Sequence, residues 1–539
     1  MKTTRRKHWG WGRENEQLPH EQLRAAAVTV SQRLGFGEHE PARPVELSEV
    51  ALPDPRLRPT ADLRPICLTD AHARARHAYG SSYRDVVRGF QGRFDHPPDV
   101  VAMPGDELEL ERTLEWALGA GAAVIPYGGG TSVVGGVEPE VGDRFDGTVT
   151  IDMTRMNRVL EVDSTSRAAR IQAGAAGPAL EAQLREHGMT LRHYPQSFEF
   201  ATLGGMIATR AAGHFATLQT HIDELVESIR ALTPAGPWES RRLPGSGAGP
   251  SPDRLLIGSE GTLGLICEAW VRVRPRPRFR SSATVRFAEF SAGAAALREL
   301  SQSGLNPAGC RLIEAAEAAL TGAGDGSSAL LLLSFESAAF ETGAALVTAL
   351  ECCADHGGSW DAGGAGGAGE DHASGTWRAA FLRAPYLRDL LVAIGVLSET
   401  FETAITWDRF ERLHAEVVTR TTAAVRDACG AGSVTCRITH VYPDGPAPYY
   451  TVLAPVRIGE ELEQWDLIKR AAAEAILAAG GTITHHHAIG RDHRPWYDLQ
   501  RPEPFAAALR AAKAAVDPSG ALNPGVLLDS PGPAGRAAR

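Results

Sequence analysis

Three consecutive glycines, Gly128, Gly129 and Gly130, within the run PYGGGTSVVGG at 126–136 constrain this chain more than any other feature. Without a Cβ, such a run reaches left-handed torsions and lets several backbone amides converge on one anion, so it reads as a diphosphate cradle. Thr131 and Ser132 add hydroxyl donors. A flexible turn between strands is the competing reading, and only other segments decide between the two. The GxGxxG spacing is missing and no amphipathic helix follows at once, which argues against a dinucleotide-binding βαβ unit. Upstream, Val100 and Val101 read as a strand, Asp106 caps a helix through about Leu118, and AAVIPY leads as a strand into the glycines.

At 539 residues the chain is too long for one core, and the length predicts three or four compact units or two large ones. A formal net charge of −10 argues against a general nucleic-acid binder, and no stretch approaches the roughly 20 apolar residues of a membrane span. The seven cysteines lack metal or disulfide spacing, which fits a reducing compartment. The basic start MKTTRRKHWGWG runs into Glu14, Asn15 and Glu16 rather than an apolar stretch, and Ala537, Ala538 and Arg539 are not a peroxisomal address. Cytoplasm is therefore the expected location. Trp9 and Trp11, beside Arg5, Arg6 and Lys7, suit either peripheral membrane contact or packing on the body of the protein.

Further along, TVTIDM at 148–153 and ARIQAG at 169–174 read as strands, followed by a helix PALEAQLREHG with Pro178 in its first turn and Gly188 at its end. The join RPRPRFR from 274 opens a second unit, with a strand ATVRFAEF and a helix around 294–301. AGGAGGAGE at 362–370 is expected to be a mobile loop. A strong helix, EELEQWDLIKRAAAEAILAAGG, delivers the chain to THHHAIG. Read as a strand, that triplet lets only His485 and His487 point the same way.

Two more segments repeat the glycine-and-hydroxyl chemistry. One spans 195–213, with Ser197, Thr202, Gly204, Gly205 and Thr209; the other spans 253–275, with Gly258, Ser259, Gly261, Thr262 and Gly264. In order and spacing, the three segments resemble the vanillyl-alcohol oxidase-like family of flavoproteins with a PCMH-type FAD-binding domain. That resemblance implies an α+β fold with a two-subdomain FAD-binding domain, an α+β cap domain built on an antiparallel sheet, and a C-terminal helical segment. It divides the chain into 1–94, 95–275, 276–480 and a segment 481–539 returning to the flavin. It implies FAD, bound noncovalently, since no linking histidine or cysteine stands in the expected loop.

By the same resemblance Pro126, Tyr127, Gly128, Gly129, Gly130, Thr131 and Ser132 hold the diphosphate. Gln196, Ser197, Phe198, Glu199, Phe200, Ala201 and Thr202, with Gly204, Gly205, Thr209, Arg210, Ala211 and Ala212, line the flavin. Ser259, Glu260, Gly261, Thr262, Leu263, Gly264 and Ile266 close over it.

The second half narrows the family. YLRDLLVAIGVLSETFETAITWDRF at 386–410, CRITHVYPDGPAPYY and THHHAIGRDHRPW, with RKHWGWG and LRHYPQSFEF, resemble the alkyldihydroxyacetonephosphate synthase family. The resemblance implies exchange of the acyl group of acyl-dihydroxyacetone phosphate for a long-chain alcohol through an adduct at flavin N5, with lipid-like substrates and a homodimer. Gln196, Tyr194 and Thr406 depart from the family's usual residues.

Arg388 then matches the phosphate-binding arginine, the alternative being an ion pair with Asp389; a guanidinium fork suits phosphate because it donates twice and stays charged. Arg311 matches a second functional arginine, or pairs with Glu314. Tyr449, rather than its neighbour Tyr450, matches the catalytic tyrosine, the alternative being a packed strand tyrosine. His485, His486 and His487 match proton-transfer groups, and no metal is expected there. His193 matches a further functional histidine, or serves a buried structural role. The competing function is a FAD-dependent 2-hydroxy-acid dehydrogenase, in which Arg388 or Arg311 clamps a carboxylate and a histidine takes the hydroxyl proton.

Overall fold

The structure, a computed structural model, describes residues 5–215, 217, 220–361 and 372–529, with side chains from 383 onward in the last stretch. The glycine-rich run 362–370 and the terminal 537–539 lie outside the described residues.

The triple glycine sits at the end of a buried strand. Asp106 caps the helix Glu107–Gly119 by accepting the Glu109 amide at 2.9 Å, and the chain then enters the strand Ala122–Tyr127. That strand runs parallel to Gly147–Asp152, which runs parallel to Val100–Ala102; Cys67–Leu68 closes the four-stranded sheet antiparallel. Parallel strands are covered on both faces, which is why these segments are continuous apolar runs rather than alternating ones.

A second, antiparallel sheet follows in the order Val159–Asp163, Ala168–Gln172, Leu265–Arg272, Val226–Thr233, Gly236–Glu239. The helix Gly177–Glu186 packs over it, with Pro178 in its first turn and Gly188 just beyond it at φ +69°.

The third sheet has six antiparallel strands in the order Phe279–Phe287, Ala329–Ser337, Gly309–Ile313, Ser433–Val441, Pro446–Pro455, Val396–Glu402. Its two faces divide by alternation, interrupted by a register shift between Ile438 and His440 that puts both Thr439 and His440 on the cavity side. Cys436, Ile438, Tyr450, Val452, Leu397 and Phe401 enter the largest apolar core, under the helices Trp407–Cys429 and Glu461–Ala478. Arg437, Thr439, Tyr449, Thr451, Ser398 and Thr400 face the opposite way, into a cavity.

After Ala478 the chain returns to the first sheet. Leu522 bridges Val124 in parallel, and Asn523 Nδ2 donates to the carbonyls of Gly136 at 3.0 Å and Glu260 at 2.7 Å. The buried ammonium of Lys513 holds this return, bonded to Asp517 at 2.6 Å and to the Thr262 and Leu522 carbonyls.

The two N-terminal tryptophans pack on the body. The Trp11 ring lies edge-on to Phe200 at 5.2 Å and the Trp9 ring edge-on to Phe90 at 5.2 Å. Among the described residues no helix is long and apolar enough to cross a membrane.

Candidate active site

Glycine loop and third sheet face each other across one cavity of about 550 Å³. Its cofactor-side wall contains Gly128, Gly129, Gly130, Thr131 and Ser132, then Gln196, Ser197, Ala201, Thr202, Gly205, Thr209, Ala211 and Ala212. A Cβ on Gly129 would stand 1.9 Å from the Phe200 carbonyl oxygen, so the two segments touch through backbone alone.

Two arginines converge behind this loop. Arg6 and, at 3.4 Å, Arg76 both donate to the Gly129 carbonyl. Arg6 is half-buried as a residue, but its Nε and Nη2 are buried and have no hydrogen-bond partner among the described residues. Burial, and then the positive charge of Arg76, push its pKa down to about 9. Buried cations that repel each other, with donors left over beside a glycine loop, suit a bound dianion. The cradle therefore fits a dinucleotide diphosphate such as that of FAD, which Gly128–Ser132 would hold.

Not every expected cofactor residue reaches the cavity. Pro126, Tyr127, Phe198, Glu199, Phe200, Gly204 and Arg210 stand outside its wall. Tyr127 donates to the Arg76 carbonyl, Glu199 accepts the Tyr386 hydroxyl at 2.6 Å, and Arg210 pairs with Asp223 at 3.1 Å. The third glycine segment stands apart from the cavity wall: Ser259, Glu260, Gly261, Thr262, Leu263, Gly264 and Ile266 form the layer behind the loop. A Cβ on Gly261 would meet Pro126 at 2.4 Å, and Glu260 accepts the amides of Ile489 and Gly490 at 2.9 Å each. Its close-approach glycine serves protein packing.

The opposite wall carries the ionisable groups. Glu402, Tyr449 and Arg437 are direct cross-strand partners in one row. The Arg437 guanidinium lies 3.9 Å from the Tyr449 ring centroid and binds Glu317, which also accepts the Thr435 hydroxyl at 2.9 Å. Burial pushes the Tyr449 phenol up, against the opposing charge of Arg437. Tyr450, one residue on, points into the core and stacks on Phe401.

The triple histidine is a turn, not a strand, and this overturns the alternation expected of it. The buried Glu402 carboxylate accepts all three successive amides, from His485, from His486 at 3.1 Å and from His487 at 2.9 Å, plus the Thr484 hydroxyl at 2.6 Å. A carboxylate gathering backbone donors curls the segment around itself; against its burial, the neighbouring imidazoles and then the Thr484 hydroxyl hold Glu402 well below the usual range.

His486 and His487 line the cavity, and their rings lie 6.1 and 5.4 Å from the Tyr449 ring. His485 is outside that wall; its Nε2 meets the Tyr442 hydroxyl at 2.7 Å and His221 at 3.0 Å, and its Nδ1 meets His486 at 2.9 Å. His440 donates to the Gly213 carbonyl at 2.8 Å. One ring nitrogen each of His440, His485 and His486 falls within a 4.8 Å group, and all three rings are engaged in the hydrogen bonds just described or with Thr439. Burial, then crowding by other imidazoles, depresses His440 and His485 strongly; burial likewise lowers His486 and His487, against the pull of Glu402.

Arg388 and Arg311 both line the cavity. Arg388 donates to the Ser81 carbonyl at 2.5 Å, while Asp389 is buried against Lys7 at 3.0 Å. Arg311 is 4% exposed and donates to the His214 carbonyl at 2.9 Å, and Glu314 accepts the Cys436 amide. Burial and the charge of Arg437 bring the Arg311 pKa down to about 9. His193 is buried behind Gly213, outside the cavity wall, and neither ring nitrogen has a partner among the described residues.

Burial brings His193 and His493 down to about 3. Below the unfolded value near 6.5 the unfolded chain takes protons that these folded-state rings refuse, so stability falls as pH drops from 6.5 toward 3. Each such ring contributes on the order of 1.4 kcal/mol per pH unit in that window. Glu402 acts in the same direction below the ordinary carboxylate range. Denaturant titrations at pH 7 and pH 5 should show a loss of several kcal/mol; equal midpoints would contradict the buried neutral rings.

Residues 276–527 match the family described as FAD linked oxidases, C-terminal domain, and residues 98–240 match the FAD binding domain family. The chain is 30% identical to the alkyldihydroxyacetonephosphate synthase of Dictyostelium discoideum, over 85% of this chain and 78% of that one. It is 31% identical to the enzyme of the same name from Trypanosoma brucei brucei, over 86% and 78% of the two chains. A solved structure of an alkyldihydroxyacetonephosphate synthase superposes with a TM-score of 0.79 at 26% identity, covering 96% of this chain and 98% of that one. Glycine cradle, cationic cavity and these relationships agree: the chain belongs to the alkyldihydroxyacetonephosphate synthase family of FAD-linked enzymes.

Proposed function

We propose that this protein exchanges the acyl group of acyl-dihydroxyacetone phosphate for a long-chain alcohol, giving the ether-linked product and a free fatty acid. The observation that carries the reading is the single cavity that joins the glycine cradle, the Arg388 guanidinium and the Tyr449–His486–His487 group. The bond from the substrate carbon to the acyl oxygen breaks and a bond from that carbon to the alcohol oxygen forms, so no net oxidation occurs. FAD, when bound, supplies an electrophilic centre at which the substrate carbon can be held between the two half-reactions.

The chain's own groups do the rest. Arg388 anchors the phosphate as a permanent cation with a two-pronged donor. Neutral imidazoles of His486 and His487 accept the proton that must leave the substrate carbon, and Glu402, 3.7 Å from His487 Nδ1, steadies the cation that results. Tyr449, kept protonated by burial, donates to developing negative charge and returns a proton. Arg437 over its ring eases the transient loss of that proton. Arg311 adds a second cation for the departing carboxylate.

An apolar branch of the same cavity suits the chains. Val30 and Leu34 of the helix His20–Leu34, with Leu320, Leu387, Leu391 and Leu453, form its walls. Each buried methylene contributes about 0.8 kcal/mol, so a long chain is selected by area alone. Leu34→Trp, which narrows the branch, should lower kcat/KM for a palmitoyl substrate about tenfold relative to an octanoyl one; an unchanged ratio would place the chain elsewhere.

The division into a FAD-binding unit at 95–275, a cap at 276–480 and a returning segment at 481–539 is supported by the change of sheet between Arg272 and Phe279 and by the contacts of Asn523. Incubation with palmitoyl-dihydroxyacetone phosphate and hexadecanol tests the function: mass spectrometry should find hexadecyl-dihydroxyacetone phosphate and palmitate, and absence of the ether would refute it.

A further inference from the structure

The segment RKHWGWG at 6–12 takes no part in the reaction described above, yet its polar groups are tied down at both ends. Arg6 and Arg13 pair as an antiparallel bridge, with Lys7 N donating to Gly12 O at 3.2 Å and Glu14 N to Arg5 O at 3.0 Å, so the stretch is a short hairpin. At one end Arg6 binds the Gly129 carbonyl of the cradle and lies 3.8 Å over the Phe200 ring.

The other end clamps the helix His372–Ala393. Asp389 of that helix is buried and accepts Lys7 Nζ at 3.0 Å and the Trp11 amide at 3.0 and 3.1 Å. Gly10, at φ +67°, lies so close that a Cβ there would stand 2.5 Å from an Asp389 oxygen. Trp11 wedges between Phe200 and Tyr386, and Tyr386 reaches back to Glu199 within the flavin segment. Arg388 immediately precedes Asp389, and successive helical side chains diverge by about 100°. Fixing the carboxylate on the hairpin side therefore fixes the guanidinium toward the cavity.

We propose that Lys7 and Asp389 are a positioning pair: the hairpin holds the helix so that Arg388 stays at the cavity wall, tying the phosphate anchor to the cofactor loop. The proposal rests on the reading that Arg388 binds the substrate phosphate. A buried carboxylate needs a charged partner, and Lys7 is the cation bonded to this one. Without it the helix is free to relax away from Trp11 and to draw Arg388 with it.

The test uses full-length, FAD-loaded Lys7→Met and Asp389→Asn, the second a near-isosteric change that should fold if the first does not. Expected are unchanged FAD content, a KM for palmitoyl-dihydroxyacetone phosphate raised about tenfold, a kcat within about twofold, and an unchanged KM for hexadecanol. Lys7→Arg, which keeps the charge, should restore the substrate KM to within about threefold. A role confined to stability would lower the thermal midpoint and leave both KM values alone, and that result overturns the proposal. Arg388→Lys separates the two readings. If it leaves the substrate KM unchanged, the phosphate assignment fails and the proposal falls with it. If it raises that KM while both hairpin variants stay within about twofold of wild type, only the positioning pair is refuted.

Discussion

Replacing Tyr449 by Phe is expected to abolish acyl-for-alkyl exchange while the purified protein stays yellow. The substitution removes one hydroxyl and keeps the ring, so the 3.9 Å contact with Arg437 and the packing against His486 and His487 persist. What is lost is the proton donor on the cavity wall. A positioned acid or base contributes about 10²- to 10⁴-fold, and kcat should fall by that factor with the substrate KM little changed. Because Tyr449 sits across the cavity from the glycine loop, FAD content should not change. Turnover within a fewfold of wild type would remove Tyr449 from the chemistry. Tyr450→Phe is the contrasting variant: that side chain belongs to the core, its hydroxyl lies 3.3 Å from His414, and its loss should reduce stability and leave the rate alone.

Gly129→Ala should give a folded but colourless protein. The new methyl would overlap the Phe200 carbonyl, with the Phe200 carbonyl carbon only 2.5 Å away, and neither is the end of a flexible side chain. Either the loop or the segment 197–202 must move, and both belong to the cofactor wall. Overpacking of this kind costs roughly 1–3 kcal/mol, about a 10- to 100-fold loss of FAD affinity if the strain falls on the holo form. Absorbance of the purified variant after dialysis against FAD measures this. Gly119→Ala, where an added Cβ meets nothing within 4 Å, should keep full colour. Equal FAD content in the two variants would contradict the cradle.

The contrast between Gly129 and Gly261 shows how far sequence carries the site. A glycine advertises that something approaches the backbone closely; it does not say whether that is a ligand or protein. A Cβ would meet protein at all four positions, Thr202, Phe200 and Tyr127 at 128–130 and Pro126 at 261, but only 128–130 also line the cavity, and the two segments look alike in sequence. Family likeness separates Tyr449 from Tyr450, and the physical reason is alternation: Tyr449, Thr451 and Leu453 face the cavity, Tyr450, Val452 and Ala454 the core. The histidine triplet is not a strand because its conformation is set from 83 residues away, by a Glu402 carboxylate that collects its amides.

Partners of that kind leave no local pattern. Arg437 sits between Tyr449 and Glu317, His221 and His440 complete the imidazole cluster, and Arg6 reaches Gly129 across 123 residues. Arg437, His440 and Arg6 stand in segments marked only by family likeness, and His221 in none. The strands and helices around residues 100–190 were legible because caps, glycine stops and apolar runs are local; the pairing of distant charges is not.

A redox-neutral exchange in a flavin cavity is the central claim, and the visible absorption of the bound flavin under anaerobic turnover tests it most directly. With palmitoyl-dihydroxyacetone phosphate and hexadecanol the spectrum should be that of the oxidised flavin at the end of a reaction that has formed ether. Lasting bleaching on addition of lactate or glycolate, with no ether from the lipid substrates, would show a dehydrogenase instead.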